Sequence, residues 1–355
     1  MKSSRQRIRF FLFFLLFCLP LSSLAMEKVF YILRATTPSQ SHALLASLDT
    51  HHKLIDILIS QAYHIDKKGV VTGSIDPNLI SYTASHAMKL MALVTNSGFD
   101  KDIAHLFLKN KDAQKKAIDT LLDLCKKNHL YGIQLDFENI PLTDKALLTR
   151  FYQMAAESLR NQKLSVSFAV IPVLSNGPFS SVFQKRQYEN WGGAYDLKLL
   201  GKSADFITLM AYDQHVGTMS PGPVASVRWV EEILKHALQS IPAEKISLGI
   251  PLYSGFWYTG TNSPKANAKL TLQYNAISYK TVTKLLAKYH ARTQWDDEDK
   301  VNYTFYEHHW LNQYIFIENA KSFKAKLALV KRYGLRGISV FRMEGEDSRI
   351  WDALT

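Results

Sequence analysis

Tyr131-Gly132-Ile133-Gln134-Leu135-Asp136-Phe137-Glu138-Asn139 is the stretch on which the reading of this chain turns. It is a short apolar run interrupted by a polar residue at every second position. Side chains alternate along a β-strand, so Gln134, Asp136 and Glu138 share one face and Leu135 and Phe137 the other. Two acids at this spacing stand roughly 6.5–7 Å apart at Cα. Like charges that close resist joint ionisation, so Asp136 can raise the proton affinity of Glu138. A carboxylic acid kept protonated near neutral pH suits general-acid cleavage of a glycosidic bond. On spacing alone, two acids that merely cap a strand end explain the pattern as well.

Seven further runs of similar character surround this one: Val29–Leu33, Leu54–Ser60, Leu90–Thr95, Leu164–Ile171, Phe206–Tyr212, Ile246–Tyr253 and Gly337–Phe341. Amphipathic helical spacing lies between them, as in Lys111–Asn128, Asp144–Asn161 and Ser226–Gln239. Eight strands alternating with helices predict a (β/α)8 TIM barrel over residues 26–355. A doubly wound open sheet lacks its usual sign, a Gly-rich turn after the first strand. The stretch between Tyr253 and Gly337 is about twice the usual spacing, so residues 254–316 read as a small α+β insertion between strands seven and eight. Its acidic run, Asp296-Asp-Glu-Asp299, reads as a solvated hairpin tip rather than a metal site. In such barrels the chemistry sits at the C-terminal ends of strands. The fourth run ends there with Asp136 and Glu138. The sixth ends with Met210-Ala-Tyr212-Asp213, which sets a phenol and a carboxylate at the same mouth.

The chain has 355 residues, 47% apolar and 21% charged, an ordinary globular composition that excludes extended disorder. Basic residues up to Arg9, the apolar run from Phe10 and the small residues Ser23 and Ala25 form a secretory signal pattern over residues 1–25. The run is too short to span a bilayer, so no stable membrane anchor is expected after cleavage. Losing Lys2, Arg5, Arg7 and Arg9 takes the formal net charge from +12 to +8. That charge is spread out and argues against nucleic acid as partner. Cys125 is then the single thiol, at a helical core spacing. No His-Glu-x-x-His occurs, so neither a metal nor another cofactor is expected. The absence of Gly-x-Ser-x-Gly weakens an esterase reading.

Together these motifs resemble glycoside hydrolase family 18, the chitinase-like barrels. The family's Asp-Gly-x-Asp-x-Asp-x-Glu corresponds to Tyr131 through Glu138. Its Met-x-Tyr-Asp corresponds to Met210-Ala-Tyr212-Asp213, and its Gly-x-Pro-x-Tyr to Gly249-Ile-Pro251-Leu-Tyr253. Phe341 stands where many members carry Trp. The resemblance implies that Glu138 is the general acid/base. Asp136 would orient the substrate's 2-acetamido group, and Tyr212 would hydrogen-bond its carbonyl. The nucleophile would be the substrate's own acetamido oxygen, an exception to the usual two-carboxylate scheme. Gln134, Met210, Asp213 and Tyr253 would line the site. By their place after or at the end of strands two, seven and eight, Tyr63, Trp257 and Phe341 could stack on sugar faces, with core packing the more common role for each ring taken alone. Tyr131 and Gln134 replace two of the motif's acids, and Gln134 could hydrogen-bond Asp136 but not take its proton. The form Asp-Phe-Glu-Asn is similar to the bacterial spore-cortex and cell-wall branch. A secreted or periplasmic hydrolase of N-acetylglucosamine-containing glycans, peptidoglycan or chitooligosaccharides, is thus expected. The competing expectation is a catalytically silent, lectin-like barrel. Such relatives usually lose the acid that this chain keeps at Glu138.

Overall fold

The computed structural model describes residues 26–217, 219–260 and 270–355. The expected signal segment, 1–25, lies outside the described residues. In chain order the strands are β1 (Glu27–Ile32), β2 (Ile57–Ile65), β3 (Val71–Gly73), β4 (Lys89–Asn96), β5 (Gly132–Asp136), β6 (Ser165–Val170), β7 (Phe206–Leu209), β8 (Ile246–Pro251), β9 (Tyr253–Gly260), β10 (Thr271–Ser278), β11 (Gln294–Asp296), β12 (Val301–His308), β13 (Leu311–Ile317) and β14 (Gly337–Phe341). Eight of these, β1, β2, β4–β8 and β14, pair in parallel in the order β1-β14-β8-β7-β6-β5-β4-β2. β1 also pairs with β2, which closes the ring into a (β/α)8 barrel. β3 is a short antiparallel addition to β2.

The intervening helices form where polar caps meet apolar spacing. Asn110 accepts from the amides of Asp112 and Ala113 to start the helix Lys111–Lys127, whose buried stripe is Ala113, Ala117, Ile118, Leu121 and Cys125. Burial pushes the Cys125 thiol up to about 12, so it is a core group and not a nucleophile. The main core lies between barrel and helices and takes in Leu135 and Phe137. Inside the barrel, Val29, Tyr31, Ile57, Ile59, Met91, Leu93 and Phe206 form a second apolar cluster. At Gly132 the neighbouring strand comes so close that a Cβ would meet the Ser165 carbonyl oxygen at 1.9 Å, so the strand bearing the acids needs glycine there.

Between β8 and β14 the chain builds a five-stranded antiparallel sheet, β10-β9-β13-β12-β11, with the helix Tyr279–Tyr289 on one face. Val282, Ile315 and Ile317 are the core of that layer. The Asp296–Asp299 run is the turn between β11 and β12. There Arg228 pairs with Glu298 at 2.7 Å and Asp299 at 3.0 Å, and Lys300 pairs with Asp297. Where the chain re-enters the barrel, Lys326 and Glu318 form a fully buried ion pair at 2.8 Å. Ser322 donates to the same Glu318 oxygen, and the Glu318 amide donates to Ser254 Oγ. This junction fastens the insertion to the helix Ala320–Tyr333. Among the described residues no helix is long and apolar enough to cross a membrane.

Candidate active site

β5 ends at Asp136, and the ladder that satisfied its backbone ends with it. The next two residues find side-chain partners instead. The Phe137 amide donates to the Tyr152 hydroxyl at 3.0 Å, and the Tyr195 hydroxyl donates to the Phe137 carbonyl at 2.6 Å. The Glu138 amide donates to Asn96 Oδ1 at 2.9 Å, and Asn96 Nδ2 donates to the Glu138 carbonyl at 3.1 Å. Every backbone polar group of residues 137 and 138 is thereby paired. Glu138 itself is half-buried at the barrel mouth. Asp136 is buried below it, and its Oδ1 has no hydrogen-bond partner.

β7, β8 and β14 complete the mouth. Tyr212 stacks on Phe341, the last residue of β14, at 5.7 Å between centroids and 20° between planes. Tyr253 meets both edge-on, at 6.4 Å and 6.3 Å. Tyr31 packs against Phe341 from below at 5.8 Å. The Tyr253 hydroxyl donates to Asp213 Oδ1, so the carboxylate after β7 is tied to the first residue of β9. Asp213 adopts φ +62°, a left-handed conformation that Asp tolerates better than most residues.

Desolvation sets the electrostatics. Burial is the main reason that Glu138 is pushed up to about 7, and the charge of Asp213 adds to it. Burial also raises Asp136 well above the usual carboxylate range, with the Glu138 charge as the second cause. Burial raises Asp213 too, and the Tyr253 hydrogen bond works against the rise. The spacing predicts that Asp136 raises Glu138; instead burial and then Asp213 raise Glu138, and the Glu138 charge acts on Asp136, in each case behind the loss of water. A protonated Glu138 open to the cleft can donate a proton. Asp136 offers an unused acceptor.

Three expected sugar contacts are corrected. Gln134 is fully buried, and its amide is spent inside the barrel: Oε1 accepts from Tyr31 at 2.5 Å, and Nε2 donates to Ser167 at 2.9 Å and Thr208 at 3.0 Å. It forms the polar floor beneath Asp136 and does not bond that residue. Tyr63 is buried in the outer layer, where its hydroxyl accepts from Asn128. A bulge between Gln61 and Tyr63 shifts the register of β2 and turns the ring away from the barrel. Trp257 is wholly buried in the insertion sheet, 4.8 Å from Tyr274 and 5.8 Å from Phe316, so it packs that sheet rather than facing a sugar. Met210, just past β7, also presents little surface. Asp136, Glu138, Tyr212, Asp213, Tyr253 and Phe341 do come together.

Sequence reasoning missed Asn96, Tyr152 and Tyr195. Asn96 had a readable signal, since it directly follows the run Leu90–Thr95 and therefore sits at the mouth. The two tyrosines had none, because helix and loop residues reach the site only through the fold. Among the described residues, no group of three or more His, Cys, Asp or Glu could hold a metal ion.

A closed parallel barrel with a desolvated acid and a cluster of aromatic rings at its C-terminal mouth fits a barrel glycosidase. The chain is a member of glycosyl hydrolases family 18, whose profile matches residues 31–347. It is similar to an uncharacterized glycosylase, YvbX, from Bacillus subtilis, with 26% identity over 314 residues, 87% of this chain and 86% of the relative. Among solved structures it resembles a chitinase from Chromobacterium violaceum, with TM-score 0.79, 26% identity and coverage of 93% of this chain and 98% of the other. The spore cortex-lytic enzyme SleL from Bacillus megaterium shares the fold, with TM-score 0.79, 23% identity and coverage of 93% and 73%.

Proposed function

We propose that this chain hydrolyses β-1,4-linked glycans containing N-acetylglucosamine, with cell-wall peptidoglycan favoured over chitin-type polymers, by substrate-assisted retaining catalysis. Glu138 is the general acid and then the general base. Asp136 accepts a hydrogen bond from the acetamido N–H, and Tyr212 donates one to the acetamido oxygen. That oxygen attacks the anomeric carbon as Glu138 protonates the leaving oxygen. Water, activated by the Glu138 carboxylate, then opens the cyclic intermediate. The observation that carries this reading is the acid pair itself: a desolvated Glu138 raised to about 7 beside a buried Asp136 with an unpartnered oxygen. The nearest rival nucleophile, Asp213, already accepts a hydrogen bond from Tyr253.

Peptidoglycan is favoured by the Asp-Phe-Glu-Asn form of the motif and by the likeness to a protein described as a spore cortex-lytic enzyme. Peptidoglycan lies outside the cell membrane, and the signal pattern at residues 1–25 supports export with cleavage after Ala25. The test is incubation of the mature chain with chitooligosaccharides and with purified peptidoglycan, followed by mass analysis. Products ending in reducing N-acetylglucosamine are expected. Sugar binding without release from either substrate would favour the lectin-like alternative.

A further inference from the structure

We propose that Asn96 is a positioning residue that sets the placement of Glu138 by gripping both polar groups of its backbone. The inference rests on the reading of Glu138 as the acid. Asn96 is the last residue of β4, the neighbour of β5 in the barrel, and its side chain is buried. A strand ladder pairs backbone with backbone, and here a primary amide imitates it. Its oxygen takes the Glu138 N–H and its nitrogen serves the Glu138 carbonyl, a two-point contact that fixes the peptide plane as well as the position. Nδ2 also reaches the Asp100 carbonyl at 3.4 Å, so the anchor is itself anchored. Tyr152 and Tyr195 hold the preceding residue but touch neither polar group of Glu138. Asn places a carbonyl acceptor and an N–H donor side by side at this reach. Asp lacks the donor, Leu lacks both, and Gln is one methylene too long.

The grip also governs how much water reaches the acid. The groups that face Glu138 are Asp136 on its own strand, Tyr212 and Asp213 after β7, Tyr152 on the helix Lys145–Asn161 and Tyr195 beyond it. On the β4 side, Asn96 itself is uncharged, and His64 of β2 is occupied with Thr95. Loosening the segment therefore admits solvent without bringing up a new charge.

The experiment compares Asn96→Ala and Asn96→Asp with wild type on a substrate the wild type cleaves. For Asn96→Ala, kcat should fall, on the order of 10²-fold at most, with little change in KM. The alkaline limb of its pH–rate profile should move to lower pH, because water lowers the proton affinity of Glu138. For Asn96→Asp, kcat should also fall, but the alkaline limb should move to higher pH under the added negative charge. A lower Tm with unchanged kcat and an unmoved limb in both variants would overturn the proposal. Amide hydrogen exchange in the wild-type chain gives a reading that needs no variant. The Glu138 amide should exchange as slowly as the amides inside β5, and fast exchange would also overturn the grip. If the wild type cleaves no glycan yet protects this amide, it is the functional reading that fails.

Discussion

Replacing Glu138 by Gln should make the protein more stable at alkaline pH and no more stable at acid pH. In the folded chain the Glu138 carboxyl is raised from 4.5 to about 7, chiefly by burial. Below the unfolded value both states hold the proton, and the group costs nothing. As the pH climbs past that value the unfolded chain ionises first, and the folded chain falls behind. Above the folded value the penalty is complete. At about 1.4 kcal/mol per pH unit the difference is roughly 3 kcal/mol. Gln keeps the shape and never ionises, so the variant escapes the penalty. For a chain of this length, about 2 °C per kcal/mol converts this into a Tm gain of about 6 °C. The assay is thermal unfolding of both proteins at pH 4 and pH 8.5. Gain at pH 8.5 with near equality at pH 4 is expected. Turnover on any glycan the wild type cleaves should fall by about 10²–10⁴-fold in the same variant. An equal shift at both pH values, or no gain at the higher one, would refute the desolvation argument whatever the activity.

The same acid should put the alkaline limb of the wild-type kcat/KM profile near pH 7, and a flat profile to pH 9 would remove Glu138 as the proton donor. Lys326→Met should cost about 3–5 kcal/mol by stranding the buried Glu318 charge, while the double variant Lys326→Met with Glu318→Leu should recover most of it. A double variant as unstable as the single one in denaturant titrations would show that the ion pair is not the source. A de-acetylated oligosaccharide should resist hydrolysis while its acetylated twin is cleaved with retention, read as the first-formed anomer by NMR. Equal rates or an inverted anomer would return Asp213 to consideration as a conventional base.

The barrel was legible because its strands are apolar, short and regularly spaced, and burial on both faces demands that pattern. The insertion was legible only as a gap that was too long, since its antiparallel strands carry turns and polar faces that break the pattern. Asp136 and Glu138 were legible through strict alternation along β5. The same alternation failed for Tyr63, because one extra residue in β2 reverses every later side chain, and nothing in Gln61-Ala62-Tyr63 announces a bulge. Gln134 shows a different limit. Alternation correctly turned it into the barrel, but only the three-dimensional layer of Tyr31, Ser167 and Thr208 reveals that its amide is already spent.

That layer shows how the barrel accommodates a glutamine where the motif has an acid at position 134. A carboxyl there would add a third desolvated acid beneath Asp136. A glutamine instead donates twice and accepts once, closing the floor without charge. Asp136 keeps an oxygen that no protein group satisfies, and a buried acceptor of that kind gains from any donor brought to it. A fold that uses spare hydroxyls to satisfy Gln134 could have satisfied Asp136 as well. Under the proposed mechanism that oxygen accepts from the acetamido N–H, and the bond would strengthen as positive charge grows on the acetamido nitrogen during cyclisation, favouring the transition state over the bound sugar.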